Sequence, residues 1–405
     1  MYIAANDARE QDALIETMTE TNILITGSTG LVGMHVLYEL LGELGRGALA
    51  GRVFPVLRGA SSYTVSQRVD RVLHNKFVPH FLEDCTPQVR KSIHPISADL
   101  CELASLKEAI RASIPLGEEL TVIHSAGSVN LETTQEARDD VYAHNYEGTL
   151  NLLRALDGYA IRFIYIGTVF SSGVQRGRIG DDYLGLPSHV YRNPYEESKA
   201  KVEIEVARFC EEKGIRFQIL RPSIICGRVM DAPLYYTPKF DVFYGWLKFF
   251  WQLKKAELHS PLRLCIHEKA TMNVVPVDFV AKTIVKAVHQ HVGQLNIANP
   301  EAANTVEITR AALEHIGYEN ASFVNSIPTD LNRVEQFYYK TVGALFDSYI
   351  NNDASIYDCS KLISFISPIT MPPMREHIGG IVDFAKQFNF DDRKIDQAAH
   401  GSNGW

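Results

Sequence analysis

The chain lacks the features that would mark a nucleic-acid binder, a disulfide scaffold or a membrane span. It has no Lys/Arg block, and 40 Lys+Arg against 48 Asp+Glu leave a formal charge of −8. Such a balance offers no electrostatic footprint for a phosphate backbone, so no nucleic-acid partner is expected. Its six cysteines (Cys85, Cys101, Cys210, Cys226, Cys265, Cys359) include no CxxC pair, and no His cluster stands at metal-ligand spacing. That pattern predicts buried thiols in a reducing compartment and no metal site. The longest aromatic-aliphatic stretch, Val242 to Leu253, is broken by Lys248 and is too short to cross a bilayer. Asp7, Glu10, Asp12, Glu16 and Glu20 make the first twenty residues a polar leader, unlike a secretory signal. Repeats and low-complexity tracts are missing as well. A cytoplasmic protein acting on small molecules is the expectation, with its oligomeric state unreadable.

What is present can fold. At 46% hydrophobic and 22% charged, the composition suits one large or two closely joined domains. Apolar runs at Asn22–Thr26, Arg52–Leu57, Ile93–Ala98, Leu120–His124, Arg162–Gly167 and Arg216–Arg221 alternate with helix-like segments. The alternation predicts an α/β fold, a doubly wound parallel Rossmann sheet with a smaller C-terminal substrate lobe. Pro55 is awkward for a central strand. The expected organisation is a leader over 1–20, a Rossmann domain over 21–300, a C-terminal lobe over 301–390 and a frayed tail over 391–405. An aromatic and basic insert, 228–271, is assigned to the lobe; Asn273–Pro276 reads as a return to the main sheet, and Gln294–Ala298 as a further strand.

The first run ends in TGSTGLVG, which places Gly27, Gly30 and Gly33 between a strand and an amphipathic helix. The first glycine permits the turn, the second lets backbone approach a pyrophosphate, and the third lets helix pack on strand. Ser28, Thr29, Leu31 and Val32 complete this dinucleotide-binding turn. After the second run, where an NAD enzyme carries an acid for the ribose hydroxyls, stands Arg58, with Arg68 ten residues on. A guanidinium fork there suits a 2′-phosphate, so the expected cofactor is NADP(H).

Tyr195 and Lys199 are four apart at the start of a predicted helix, a spacing that sets a cation on the face of a phenol and would draw its pKa down. The spacing recurs at Tyr235/Lys239, Tyr244/Lys248 and Tyr357/Lys361. Only the first pair follows the strand ending in Gly167-Thr168, which puts a hydroxyl at the carboxyl edge of the sheet where open α/β folds bind ligands. Thr168, Tyr195 and Lys199 are therefore the catalytic candidates.

With ADL at Ala98–Leu100, HSAGSVN at His124–Asn130, HNYEGT at His144–Thr149 and RPSIICG at Arg221–Gly227, these residues resemble an extended short-chain dehydrogenase/reductase. HSAGSVN, VPVDFVAKTIV and FDSYINNDASIYDCSKL resemble its male-sterility-type branch, which includes fatty acyl-CoA reductases and thioester reductase domains of carrier-protein assembly lines. The resemblance implies that Asp99 and Leu100 contact adenine, that Ser125, Ala126 and Gly127 line the pyrophosphate and ribose, and that Asn145 supports the lysine through water. Pro222, Ser223, Ile224 and Ile225 would flank the nicotinamide. Gly167 departs from the branch, which usually has Ser there, and leaves Thr168 as the hydroxyl, with Ser171 and Ser172 as substitutes.

The implied activity is NADPH-dependent reduction of an acyl thioester, on CoA or on a phosphopantetheine carrier protein, to the aldehyde or onward to the alcohol. The insert residues Asp241–Leu253, bordered by Lys248, Lys254, Lys255, Arg263, His267 and Lys269, could line an acyl groove with cations at its mouth, or be a helix buried between lobes. Rival readings are an NAD-retaining nucleotide-sugar epimerase or dehydratase and a non-catalytic NADP-binding regulator. Arg58 speaks against the first, and the Thr168, Tyr195, Lys199 set against the second.

Overall fold

Most of the short apolar runs become buried parallel strands, because helices cover the sheet on both faces; Ile93–Ala98 yields only a two-residue edge strand. A computed structural model describes residues 21–59, 62–83, 87–184, 190–351 and 355–401. The leader, Cys85 and 402–405 lie outside the described residues. The strands are β1 (Asn22–Thr26), β2 (Val53–Leu57), β3 (Ile96–Ser97), β4 (Glu119–His124), β5 (Ala160–Ile166), β6 (Arg216–Pro222) and β7 (Gln294–Ile297). They form one parallel sheet in the order β3-β2-β1-β4-β5-β6-β7. This doubly wound order reverses between β1 and β4 and opens a crevice at their carboxyl ends.

The helices that cover the sheet and build the lobe include α1 (Leu31–Arg46), α2 (Val65–Leu73), α3 (Leu103–Ser113), α4 (Gly148–Ala155), α5 (Pro194–Lys213), α6 (Phe243–Lys255), α7 (Val277–His289), α8 (Thr305–Ile316), α9 (Met374–Gln387) and α10 (Asp392–His400). Side chains alternate across the sheet. Ile23, Ile25, Ile123 and Ile164 pack on Val36 and Leu40 of α1 and Val280 and Ile284 of α7. Leu24, Val122 and Phe163 face Leu106 of α3, Leu152 of α4 and Val202 of α5.

Pro55 is accommodated because β2 is barely paired on its outer side. Val53 N and Leu57 O bond to Ser92 O and Ala98 N, and β3 opposes only Val56 and Leu57. Alternation turns Pro55 toward the same outer side, where the ladder is interrupted, so the missing N–H costs little.

Two expectations are corrected, and an open alternative is decided. Val274–Pro276 pairs with Ile224–Cys226 in a separate two-stranded ribbon, and β7 takes the edge of the main sheet instead. The tail is not frayed over its described part: Asp391 caps α10 by accepting from Arg393 N, and Ile395 and Ala399 are buried one turn apart. Arg71 Nη2 of α2 bonds Asp396 at 2.8 Å, and Lys76 N donates to Ala399 O. The alternative decided is the insert, which takes the buried-helix reading. In α6, Tyr244, Trp246, Leu247 and Phe250 are buried as the lobe's own core, against α8 and α9. Trp246 Nε1 donates to Tyr338 Oη at 3.2 Å, so these side chains are filled by protein and line no acyl groove. Arg263 is committed to Glu335 and Asp330.

Trp246→Ala is expected to cost about 3–5 kcal/mol of stability, the usual loss for a buried aromatic. Urea denaturation checks this, and an unchanged midpoint would return α6 to the surface.

Candidate active site

The glycine turn folds as the sequence demands. Gly27 has φ +75°, and a Cβ on it would lie 2.7 Å from Ala126 N. One on Gly33 would lie 2.3 Å from Gly27 O. Helix α1 starts at Gly30 with no capping side chain and no acid in its first turn, so its N-terminal amides are available to an anion. Ser28 Oγ is buried there with no hydrogen-bond partner among the described residues. A backbone cradle that excludes side chains, with an orphan hydroxyl beside it, fits the pyrophosphate of a dinucleotide.

Arg58 and Arg68 come together at this turn. Arg68 Nη1 donates to Arg58 O at 2.6 Å and Nη2 to Thr29 Oγ1 at 3.2 Å. Arg58 Nη1 lies 3.5 Å from His144 Nε2, and among the described residues neither guanidinium forms an ion pair with a carboxylate. Burial and the Arg58 charge lower the Arg68 pKa. Asp99, by contrast, turns one oxygen back to Cys101 N.

The ends of β1 and β4 are tied by a relay that the sequence does not announce. Ala126 N donates to Thr26 Oγ1, which lies 2.7 Å from His124 Nδ1; His124 Nε2 lies 2.8 Å from Thr149 Oγ1, which donates to Asn145 O. Thr149 spends its proton on that carbonyl, so Nε2 carries the imidazole hydrogen and Nδ1 accepts from Thr26. Burial, aided by the Lys199 charge, lowers the His124 pKa to about 3 and keeps the ring neutral. Ser125 Oγ donates to Thr26 O. The only signal in the sequence is a hydroxyl at each of two positions, 98 and 25 residues from a buried His.

Asn145 sits in a π turn, Tyr142–Glu147, a helix irregularity common at functional sites. Its Oδ1 accepts from Ser128 N, and its Nδ2 donates to Ser128 O and Ser198 Oγ. A Cβ on Gly127 would lie 2.7 Å from Asn145 Oδ1 and 3.6 Å from Lys199 Nζ, so Asn145 and Lys199 face one spot that only glycine leaves open.

Tyr195 enters at the first turn of α5, where Asn193 caps by accepting from Glu196 N and Pro194 fixes the first helical φ. The phenol is buried close to the Thr168 hydroxyl, which donates to Pro222 O at 3.3 Å. Thr168, Tyr195 and the Pro222–Ile225 segment thus meet at the carboxyl edge of the sheet. Lys199 Nζ donates to Ile166 O at 3.0 Å and lies 4.9 Å from the Tyr165 ring centre. Burial lowers its pKa to about 8, with Glu203 opposing.

Two sequence expectations change here. Burial, with Glu196 and Glu203 nearby, pushes the Tyr195 phenol well above its usual value, whereas the sequence predicts a phenol drawn down by Lys199. Ser171 and Ser172 are not substitutes: Ser171 Oγ lies 2.7 Å from Thr168 O and 2.8 Å from Glu203 Oε1, and Ser172 Oγ donates to Val169 O. The Gly167 departure has a cause. A Cβ there would lie 2.4 Å from Glu203 Oε1, a carboxylate held in place by Arg221 at 2.8 Å.

Residues 25–284 match the family described as Male sterility protein. The chain belongs to that family. It is an extended short-chain dehydrogenase/reductase of the male sterility and thioester reductase branch. Among solved structures, the terminal R domain of the myxalamid PKS-NRPS pathway superposes with a TM-score of 0.67 at 18% identity, over 93% of this chain and 92% of that one. A thiolation-reductase di-domain from an archaeal non-ribosomal peptide synthetase gives 0.64 at 19%, over 92% and 76%. The UDP-glucuronic acid 4-epimerase of Bacillus cereus, in complex with NAD, gives 0.60 at 16%, over 91% and 100%. In sequence, the UDP-glucose 4-epimerase of Vibrio cholerae is 23% identical over 214 residues, 52% of this chain, and the match spans about half (54%) of the epimerase's length. Among the described residues, no helix is long and apolar enough to cross a membrane, and no group of three or more His, Cys, Asp or Glu is placed to hold a metal ion.

His124 and His35 share one consequence. Burial puts both at about 3, below the usual 6.5 of an exposed imidazole. The unfolded chain therefore takes up protons below pH 6.5 that the native state refuses until about 3, and stability falls as pH drops through that window. Each ring contributes about 2 kcal/mol of loss by pH 5. His35→Leu is expected to remove one such share from the difference in urea stability between pH 7 and pH 5; an unaltered difference would show that the ring is protonated in the native state.

Proposed function

We propose that this male sterility family reductase uses NADPH to reduce an acyl thioester, carried by coenzyme A or a phosphopantetheine protein, to thiol and aldehyde, with a second round giving the alcohol. The observation that carries the reading is the pairing of two arginines, unopposed by acid, at the glycine turn with a buried Thr168–Tyr195 hydroxyl pair beside Lys199. The similarity to reductase domains of carrier-protein assembly lines supports the substrate class.

The dinucleotide would be held by the Gly27–Gly33 turn, by Ser125 to Gly127, by Asp99 and Leu100 at adenine and by Arg58, Arg68 and Thr29 at the 2′-phosphate. Once bound, it supplies a hydride to the thioester carbonyl carbon. Charge developing on the carbonyl oxygen would be met by Tyr195 Oη and by Thr168 Oγ1, whose proton turns from Pro222 O to that oxygen as the charge appears. A phenol kept neutral by burial is the right acid for a reduction, because it gives its proton to that oxygen only as the charge appears. Lys199, with Asn145 beside it, restores the balance when cationic, and its pKa of about 8 ties the rate to pH. Collapse of the hemithioacetal expels thiol and leaves the aldehyde.

The epimerase likeness covers the dinucleotide fold. An epimerase that retains NAD keeps an acid where Arg58 stands, and this difference favours net reduction. Loss of 340 nm absorbance on mixing protein, NADPH and an acyl-CoA is the expected result. Turnover of a sugar nucleotide with no net NADPH loss would favour the epimerase reading, and tight binding without turnover a regulator.

Tyr195→Phe is expected to lower kcat by about 10²-fold or more while NADPH affinity stays near wild type, measured by stopped-flow and fluorescence titration. Wild-type kcat should fall above about pH 8 as Lys199 loses its proton, and Lys199→Arg should shift that limb upward; a flat profile to pH 10 would count against the role. Arg58→Ala is expected to raise KM for NADPH at least tenfold more than KM for NADH, and equal losses would mean that Arg58 does not meet the 2′-phosphate.

A further inference from the structure

Lys199 meets strand β5 twice. Its ammonium donates to Ile166 O at 3.0 Å and stands 4.9 Å from the centre of the Tyr165 ring, so two successive residues of one strand supply a carbonyl and an aromatic face. We propose that Tyr165 is a positioning residue, whose ring takes the place of a carboxylate partner for this buried ammonium and holds it beside the spot that Gly127 leaves open. The inference rests on the reading of Lys199 as the cation that restores the charge balance during reduction.

The lysine has no acid of its own. It is 6% exposed, and a buried charge persists only where something replaces the water it has lost. Among the described residues no carboxylate stands at ion-pair distance from Nζ, and Ile166 O is its one hydrogen-bond acceptor. Glu203, whose charge reaches the lysine, is held by Arg221 at 2.8 Å and accepts from Ser171 Oγ. The other titratable groups nearby are neutral: His124 of β4, kept uncharged by burial, and Tyr195, one turn earlier on α5. With one N–H on the carbonyl, the Tyr165 face is the electron-rich surface left to the others, and such a face attracts a cation most strongly where water is excluded.

The ring, and not the hydroxyl, accounts for the residue. Tyr165 Oη is buried with no hydrogen-bond partner among the described residues, an arrangement that costs stability. Burial, with Glu203 nearby, pushes this phenol well above its usual value, so it stays neutral and provides no phenolate counter-ion. Its neighbours on that side of the sheet, Phe163 and Val202, are apolar and would accept an aliphatic side chain; the ammonium is what calls for an aromatic one.

Titration of Lys199 by NMR, on the full chain carrying isotope-labelled lysine and with the signal assigned through Lys199→Arg, tests this without reference to turnover. Tyr165→Leu is expected to move the midpoint down by about one pH unit, because only the protonated form loses the ring, and the alkaline limb of kcat should move with it. Tyr165→Phe keeps the face and is expected to leave both in place with no loss of stability. Tyr165→Ile gives the same reading if Tyr165→Leu does not melt cooperatively. A tyrosine that served packing alone would lower stability and rate at every pH, so a midpoint that stays or rises in the aliphatic variants overturns the inference. Failure of the reductase reading looks different: the midpoint would shift in a protein that does not oxidise NADPH in the presence of an acyl thioester.

Discussion

The candidate site depends on one buried ion pair. Arg221, on β6, and Glu203, two turns along α5 from Tyr195, meet at 2.8 Å with side chains 0% and 2% exposed. Charges so deep persist only when their remaining donors and acceptors are occupied. Here they are: Arg221 also reaches Asp181 O and Gln294 Oε1 and stacks 4.0 Å over the Tyr183 ring, while Glu203 Oε1 is near Ser171. The pair therefore locks α5 to β6, β7 and the loop leaving β5. Removing one partner of such a pair typically costs about 3–5 kcal/mol. More important, it fixes the rotation of α5 about its axis, and with it the faces that Tyr195 and Lys199 present. Gly167 is the trace of this packing in the sequence, since the carboxylate occupies the space a Cβ would need.

A second layer ties the lobe to the same helix. Tyr349 donates to Glu196 at 2.7 Å and accepts from Asn193 Nδ2, the cap of α5, and its ring meets Phe170 edge-on at 5.0 Å. Ile356 and its neighbours pair with Gly177–Ile179, just beyond the Thr168 loop. Tyr349 thus lies against the first turn of α5 and the exit of β5 together. The lobe and α5 are thereby joined at the turn that carries Tyr195.

Legibility divides along range. The glycine turn, the parallel order and the Tyr195/Lys199 helix are readable because each is local: a run of apolar residues, a turn, a cap. The place of Lys199 is legible but its environment is not, because desolvation depends on what the fold stacks above it. Hence the phenol pKa moves opposite to the direction that spacing alone suggests. The Thr26–His124–Thr149 relay joins three elements far apart in sequence, and a lone His beside apolar strand residues gives no sign of its partners. In α6, aromatic content could mean groove or core, and only the packing against α8, α9 and Tyr338 decides. Helix α10 escapes the sequence because two small apolar positions, Ile395 and Ala399, suffice once Arg71 and Lys76 wait to receive it.

The arginine cluster shows why an anion is the natural completion of this fold. Arg58 and Arg68 repel each other, and burial adds to the penalty on Arg68. Two hydrogen bonds, to a carbonyl and a threonine hydroxyl, orient Arg68 without neutralising it. A surface arginine would ordinarily swing toward an acid, so holding two together beside bare helix amides stores an unfavourable electrostatic term in the protein alone. Any ligand that supplies negative charge at that point recovers this term in addition to its own contacts. A ribose hydroxyl is neutral and cannot. Under the NADPH reading proposed above, affinity for the coenzyme's phosphate would come as much from relief of this repulsion as from new bonds.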